Sequence, residues 1–254
     1  MCLLLFAWRV HADYPLVLAA NRDEFYERPS APVDFWDDEP EILAGRDLKE
    51  GGTWLGITRT GRIAALTNYR DPASLKASAP SRGGLVSGYL RGDKNATSYL
   101  EGLALDAGKY NAFNLLLGDC SSLYYFSNRG SQKWLEPGIY GISNSLIDVP
   151  WPKVLLGKRK LAKLLAGKRK PTSERLFELL SDHSRPPDDQ LPETGVGVEW
   201  ERVLSSLFIQ SPSYGTRSST VLLVDNNGRI TFTERVFNEH GAPWMTTKTA
   251  FSSV

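Results

Sequence analysis

The residue whose type and position most clearly suggest catalytic chemistry is Cys2, which directly precedes the apolar run Leu3–Trp8. If Met1 is removed, Cys2 carries both a thiol and a free α-amine. The ordinary pKa of an α-amine is about 7.7–8.0 and that of a thiol about 8.5, so the amine can act as general base for the thiol beside it. The alternative is that Cys2 is a small buried residue at the start of a strand.

Short polar segments at the ends of predicted apolar strands supply the groups that such a nucleophile needs. They contain a carboxylate, two side-chain amides that donate hydrogen bonds, and a guanidinium. Each segment alone is also typical of a polar turn, but together they indicate an acyl-transfer site. The segments are Asn21–Glu24, Thr67–Arg70, Gly141–Ser145 and Tyr214–Thr220.

At these segments the sequence resembles the NRDE family, also called the transport-and-Golgi-organisation family. The resemblance extends from Cys2 to about Val236. It implies a fold like that of N-terminal nucleophile (Ntn) hydrolases, which is an α+β four-layer αββα sandwich of two antiparallel sheets. It also implies kinship with cysteine amidases such as bile-salt hydrolases and penicillin V acylases. The matching motifs are Cys2, Asn21–Glu24, Gly51–Gly56, Ala65–Tyr69, Tyr140–Asn144 and Tyr214–Ser218.

The resemblance implies a catalytic role for five residues. Cys2 corresponds to the nucleophile and Asp23 to the aspartate that holds the N-terminal amine. Arg217 corresponds to the arginine that lowers the pKa of the thiol. Asn68 and Asn144 correspond to amides that stabilise the tetrahedral oxyanion, where one donor contributes roughly 3–4 kcal/mol.

The rest of the Asn21–Glu24 motif, namely Asn21, Arg22 and Glu24, is predicted to contact the substrate. The amidases have an arginine three residues before the aspartate, and Ala20 occupies that position here. Either Arg22 replaces that arginine from a different direction, or the substrate contact is missing. The resemblance therefore leaves the amidase specificity of this chain open.

The first functional hypothesis is a hydrolase that cleaves an amide or thioester bond of a small, partly apolar substrate without a cofactor or metal. The second is a non-catalytic carrier of heme or of acyl-coenzyme A or lipid, because family members are linked to such trafficking. Heme would be bound by Cys2, His11, His183 or His240. Acyl-coenzyme A would be bound by Asn21–Glu24 and by a basic cluster, for which a solvated helix face is the other explanation. The basic cluster consists of Lys158, Arg159, Lys160, Lys163, Lys168, Arg169 and Lys170.

Length and composition limit the class of protein. The 254 residues predict one domain spanning residues 1–254, and the net charge of +1 argues against nucleic-acid binding. Two cysteines, Cys2 and Cys120, fit a reducing compartment. Neither a signal peptide nor an apolar run of membrane-spanning length is apparent, so the sequence predicts a cytoplasmic protein whose membrane contact, if any, is peripheral.

Apolar periodicity and turn residues predict four hairpins and five helices. The hairpins pair Cys2–Val10 with Leu16–Ala20, Gly52–Thr58 with Arg62–Asn68, Asn111–Leu117 with Leu123–Ser127, and Thr216–Val224 with Arg229–Val236. The helices are Leu85–Leu90, Ala96–Leu105, Pro152–Leu165, Ser173–Leu180 (capped by Thr172) and Trp200–Leu207, with a loop at Ser184–Val198.

Overall fold

The computed structural model describes residues 3–253, which form two antiparallel sheets between two layers of helices. The strands are β1 (Leu3–Trp8), β2 (Leu16–Phe25), β3 (Ser30–Trp36), β4 (Glu39–Asp47), β5 (Leu55–Thr58), β6 (Ile63–Asn68), β7 (Phe113–Gly118), β8 (Leu123–Ser127), β9 (Lys133–Trp134), β10 (Gly138–Ile142), β11 (Tyr214–Val224), β12 (Arg229–Phe237) and β13 (Pro243–Ser252). The helices are α1 (Gly83–Arg91), α2 (Ala96–Asp106), α3 (Pro152–Leu165), α4 (Ser173–Leu180) and α5 (Val198–Leu204).

Strand order divides the molecule into two sheets. The first sheet has the order β10-β1-β2-β11-β12-β13, and the second runs from β3 to β9 in sequence order. Every pairing within both sheets is antiparallel. The adjacent strands β1 and β2 come from the amino-terminal end of the chain, whereas their neighbours β10 and β11 come from its second half.

Alternation of side chains along β1 explains the four layers. Leu4, Phe6 and Trp8 pack into the core between the two sheets, whereas Leu3 and Leu5 face the opposite way and pack with α3 and α4. Successive side chains of a strand point to opposite faces, and a strand buried on both faces is apolar throughout. The second sheet is covered in the same manner by α1 and α2. The predicted four-layer αββα sandwich is therefore confirmed.

Most predicted elements are present, and α3, α4 and the Thr172 cap are where they were expected. The main correction concerns β2, which was predicted to end at Ala20 but continues to Phe25. Its polar residues stay in the strand because β11 pairs with them as far as Phe25. Helix α5 begins at Val198, inside the predicted loop, and ends at Leu204.

The strands β3, β4, β9 and β13 were not predicted. Strand β13 lies at the edge of the first sheet, and its residues alternate between exposed and half-exposed, so it lacks a run of buried apolar residues such as that of β1. Within residues 3–253, no helix is both long enough and apolar enough to cross a lipid bilayer.

Candidate active site

A pocket of about 210 Å³ lies where the two sheets and the start of α1 meet. We call it the Arg22 pocket. Its wall combines β2 of the first sheet with β4 and β6 of the second, so it can exist only once the two sheets have packed. The lining residues are Arg22, Glu24, Arg28, Asp47, Glu50, Thr53, Trp54, Leu66, Asn68, Ala79, Pro80, Ser81, Arg82, Gly83 and Asn111.

Arg22 is buried in the wall of this pocket, with 4% of its surface exposed. Its guanidinium lies over the ring of Trp54, 4.3 Å from the ring centroid. The nearest carboxylate contact is between Nη2 and Oδ2 of Asp47 at 3.9 Å, and Nη1 has no hydrogen-bond partner among the described residues. Burial lowers the pKa of Arg22, and the nearby charges of Glu24 and Asp47 oppose that shift only in part.

Asp47 is committed mainly to groups other than Arg22. Nε of Arg28 donates to its Oδ2 at 2.7 Å, and the backbone N–H groups of Lys49 and Glu50 donate to Oδ1 at 3.0 and 3.1 Å. Burial alone would raise the pKa of Asp47, but these hydrogen bonds outweigh it and lower the pKa. Asp47 is thus a firmly ionised partner of Arg28, and it compensates Arg22 from a distance.

Glu234 is a second buried carboxylate close to Arg22. It lies on β12, where Oε2 accepts a hydrogen bond from the backbone N–H of Val33 at 2.8 Å. Burial raises the pKa of Glu234, although the charge of Arg22 works against this. Sequence reasoning missed Glu234, because nothing in its local sequence shows that β12 places it between the sheets.

Asp23 is oriented by β11. Its Oδ1 accepts a hydrogen bond from Oγ1 of Thr216 at 2.6 Å, and the same hydroxyl oxygen accepts the backbone N–H of Ile209 at 2.9 Å. Asp23 is 2% exposed. The predicted partner of its carboxylate is the amine of Cys2, and Met1 and Cys2 lie outside the described residues. That role for Asp23 stays a prediction.

Asn21 is wholly buried and is fixed by protein groups on the helix side of the sheet. Its Nδ2 donates to the backbone carbonyls of Leu180 and Leu207 at 3.1 and 2.8 Å, and its Oδ1 accepts from Oγ of Ser219 at 2.6 Å. Asn21 does not line the Arg22 pocket, whereas Arg22 and Glu24 do. This geometry supports a structural role for Asn21, and its predicted substrate contact stays a prediction.

The structure brings Asn68 and Asn144 together. Nδ2 of Asn144 donates to the backbone carbonyl of Asn68 at 2.9 Å, while Nη2 of Arg70 donates to Oδ1 of Asn144 at 3.3 Å. Arg70 is in turn held by Glu201, with Nη1 2.6 Å from Oε2. A side-chain amide has two N–H donors, and this arrangement uses one donor of Asn144 to fix its position. The predicted roles of Asn68 and Asn144 at the oxyanion stay predictions. Sequence analysis did not identify Glu201, which is a charged residue on a short helix and carries no local sign of its burial.

Arg217 is the extra residue of a β-bulge in β11, between Thr216 and Ser218. Its Nη1 donates to the backbone carbonyls of Phe25, Tyr26 and Arg28 at 3.0–3.1 Å. Bulges re-aim side chains beside functional sites. Here the bulge directs Arg217 onto the turn that follows β2, and its predicted effect on the thiol of Cys2 stays a prediction.

The three histidines and the basic cluster of the carrier hypothesis make contacts elsewhere in the molecule. His11 packs against Tyr14, His183 against Phe208, and His240 lies beside Glu239. In the basic cluster, Lys158 pairs with Asp148 at 2.7 Å, and Lys160 and Lys170 pair with Asp182 and Asp13. These ion pairs are typical of a solvated helix face. The predicted heme and acyl-coenzyme A contacts stay predictions.

Comparison with known proteins places this chain in a family and identifies proteins with a similar fold. The family model described as Transport and Golgi organisation 2 matches residues 1–239. The Transport and Golgi organization protein 2 homolog of Bos taurus is 39% identical over 274 residues, with 99% of each chain covered, and that of Homo sapiens is 40% identical over 256 residues, with 92% of each covered. Among solved structures, the mutant C2A conjugated bile acid hydrolase from Clostridium perfringens matches with a TM-score of 0.50 and 9% identity, covering 99% of this chain and 92% of that one. At that identity the structural match shows a shared Ntn-hydrolase-like fold alone.

Proposed function

The chain belongs to the Transport and Golgi organisation 2 family, and from this premise we propose that it is an N-terminal-cysteine hydrolase. Its substrate would be a small, partly apolar compound with an amide or thioester bond, and Cys2 would be the nucleophile once Met1 has been removed. The structural relative is named as a conjugated bile acid hydrolase, and the residue mutated in that structure is a cysteine at position 2. That relative supports the proposal through the fold.

The observation that carries the proposal is the convergence of three chain segments on the start of β1. Leu3 pairs with Asn21, so Arg22 and Asp23 continue along β2 past the first described residue of β1. Leu4 pairs with Ile142, so the segment after β10 leads Asn144 towards the same end. The hydrogen bond from Asn144 adds Asn68 to this group. Leu3 is the residue that directly follows Cys2 in the sequence.

The proposed reaction uses these groups in two steps. The thiol of Cys2 gives its proton to the α-amine and attacks the carbonyl carbon, while Asp23 holds the resulting ammonium. The amides of Asn68 and Asn144 donate hydrogen bonds to the oxyanion, and Arg217 supplies positive potential that favours the thiolate. The C–N or C–S bond then breaks, and the leaving amine or thiol takes the proton from the ammonium. Water, deprotonated by the amine, hydrolyses the thioester on Cys2 and releases the acid.

The test combines intact mass with turnover. We expect the mass of the purified protein to lack one methionine, and we expect octanoyl amides or octanoyl thioesters to be hydrolysed by the natural chain. Cys2→Ala is expected to abolish turnover, and Cys120→Ala is the matched control because Cys120 is the other cysteine of the chain. Cys120 is half-buried, and burial raises the pKa of its thiol, so its removal is expected to leave turnover unchanged.

Two results would contradict the proposal. Turnover that survives in Cys2→Ala would show that the thiol is not the nucleophile. A natural chain that has lost Met1, binds the octanoyl compounds and leaves them intact would support the non-catalytic carrier instead.

A further inference from the structure

We infer that the Arg22 pocket binds an oxyanion, a carboxylate or a phosphate, carried by the leaving group of the substrate. This inference deepens the proposed function, because it names a chemical feature of the substrate. It rests on the geometry of the pocket, and its test measures binding, which does not depend on turnover.

The first support is the state of Arg22 itself. The side chain is 4% exposed, lines the pocket, and has no hydrogen-bond partner for Nη1 in the described part of the chain. A buried charge is costly unless it is paired and hydrogen-bonded. Trp54 holds the guanidinium plane at 4.3 Å, so the cation is preorganised. A planar guanidinium with a free donor suits a carboxylate or phosphate oxygen, which forms charge-assisted hydrogen bonds with it.

The second support is that Asp47 and Glu24, the two pocket carboxylates whose charges act on Arg22, accept other hydrogen bonds. Asp47 accepts hydrogen bonds from Arg28 and from two backbone amides, and its closest approach to Arg22 is 3.9 Å. Glu24 accepts the backbone N–H of Phe25 at 3.0 Å. An oxyanion entering the pocket would therefore compete for Arg22 with Asp47 and Glu24, which already accept other hydrogen bonds, and with the buried Glu234, which accepts the N–H of Val33.

The third support is the start of α1, which lines the same pocket. This nine-residue helix begins at Gly83, has no side-chain cap and has no acidic residue in its first turn. Ser81, Arg82 and Gly83 all line the pocket. The first N–H groups of a helix lack acceptors within the helix, and its dipole favours negative charge at that end. The helix start and the buried guanidinium thus face one cavity from different elements.

The size of the cavity indicates which part of the substrate it holds. Pockets that enclose a whole drug-sized ligand have volumes of about 300–1,000 Å³. The Arg22 pocket, at about 210 Å³, is large enough for a charged head group. The acyl part of the substrate would extend outside it, towards the start of β1.

The test is isothermal titration of the Cys2→Ala protein with two ligands that differ in one group. N-octanoylglycine carries a carboxylate where N-octanoylethanolamine carries a neutral hydroxymethyl group. We expect the glycine compound to bind about 10- to 100-fold more tightly, since a hydrogen bond to a charged group contributes about 1.5–3 kcal/mol. Equal affinities in this protein would overturn the inference, whether or not the natural chain hydrolyses either compound.

Two Arg22 variants locate the effect. Arg22→Met is expected to remove the preference for the glycine compound while leaving the affinity for the ethanolamine compound unchanged. Arg62→Met is the matched control, because Arg62 also stacks on an aromatic ring, that of Tyr89 at 4.1 Å, and lies outside the pocket. If Arg22→Met does not fold, Arg22→Lys, which keeps the charge but loses the planar fork, is expected to reduce the preference. A preference that persists in a folded Arg22 variant would refute the assignment.

Inorganic phosphate distinguishes the two sources of the oxyanion. Competition by millimolar phosphate against N-octanoylglycine would assign the pocket to a phosphate-bearing ligand. Tight binding of the glycine compound without phosphate competition would assign it to a carboxylate. Failure of both probes to bind would overturn the inference.

Discussion

The substitution Asn21→Leu tests whether the first residue of the Asn21–Glu24 motif acts on the fold or on the substrate. Leucine has a similar size to asparagine but cannot form hydrogen bonds. The change leaves three buried polar groups without their present partner: the carbonyls of Leu180 and Leu207 and the hydroxyl of Ser219. A buried group that loses its partner costs about 1–3 kcal/mol, and a carbonyl or hydroxyl with a second bonding option lies at the low end. We therefore expect the free energy of unfolding to fall by about 3–5 kcal/mol.

The assay is urea unfolding of the natural chain and of each variant, followed by circular dichroism. Ser219→Ala is the matched control, because it removes one of the three hydrogen bonds and should cost about 1 kcal/mol. The two residues share a hydrogen bond, so the double variant is expected to lose less than the sum of the single losses. The folded fraction of Asn21→Leu is expected to bind substrate with unchanged affinity, since Asn21 does not line the Arg22 pocket. A loss of stability below about 1 kcal/mol, accompanied by weaker substrate binding, would refute the structural role.

Two further predictions concern buried carboxylates. Burial raises the pKa of Glu234, so the folded protein keeps a proton that the unfolded chain releases above about pH 4.3. The free energy of unfolding should therefore decline as the pH rises from that value through the pKa of Glu234 in the folded protein. Urea unfolding at several pH values should show a smaller decline for Glu234→Gln than for the natural chain. An unchanged pH slope would show that Glu234 does not titrate in this range. Glu201→Gln removes the charge that pairs with Arg70 and should lower the free energy of unfolding by about 3 kcal/mol. Because Arg70 also contacts Asn144, the same variant should change kcat more than KM. The control Glu199→Gln, at an exposed position of the same helix, should cost less than about 1 kcal/mol. Similar losses for both glutamates would contradict the proposed coupling.

The sequence predicted the layers of the fold better than the ends of its strands. The apolar run of β1 and the hairpin between β11 and β12 have clear patterns, because their side chains alternate between two buried faces or flank a turn. The polar motif Asn21–Glu24 was interpreted as the end of a strand. Its first three residues are buried because β11, α4 and the second sheet surround them, and β11 and α4 are distant in sequence.

The same reason limits the prediction of the site. The polar segments around Asn68 and Asn144 could be found from their residue types, and they do meet in the fold. The buried pair Arg70–Glu201 and the buried carboxylate of Glu234 could not be found from their residue types. A charged residue ordinarily lies on the surface, and only the tertiary packing shows that these are buried. Arg22 was predicted as a substrate contact, but its stacking on Trp54 and the unbonded Nη1 became visible only in three dimensions.

Strand geometry explains how four consecutive polar residues can serve two purposes. Because neighbouring side chains of β2 point to opposite faces, Asn21 and Asp23 share one face and Arg22 and Glu24 share the other. On the helix side, Asn21 holds the backbone of Leu180 and Leu207, and Asp23 is fixed through Thr216. On the side of the second sheet, Arg22 and Glu24 line the pocket. A shift of β2 by one residue would exchange the two faces and destroy both functions, so the anchoring bonds of Asn21 also set the register that presents Arg22 to the pocket.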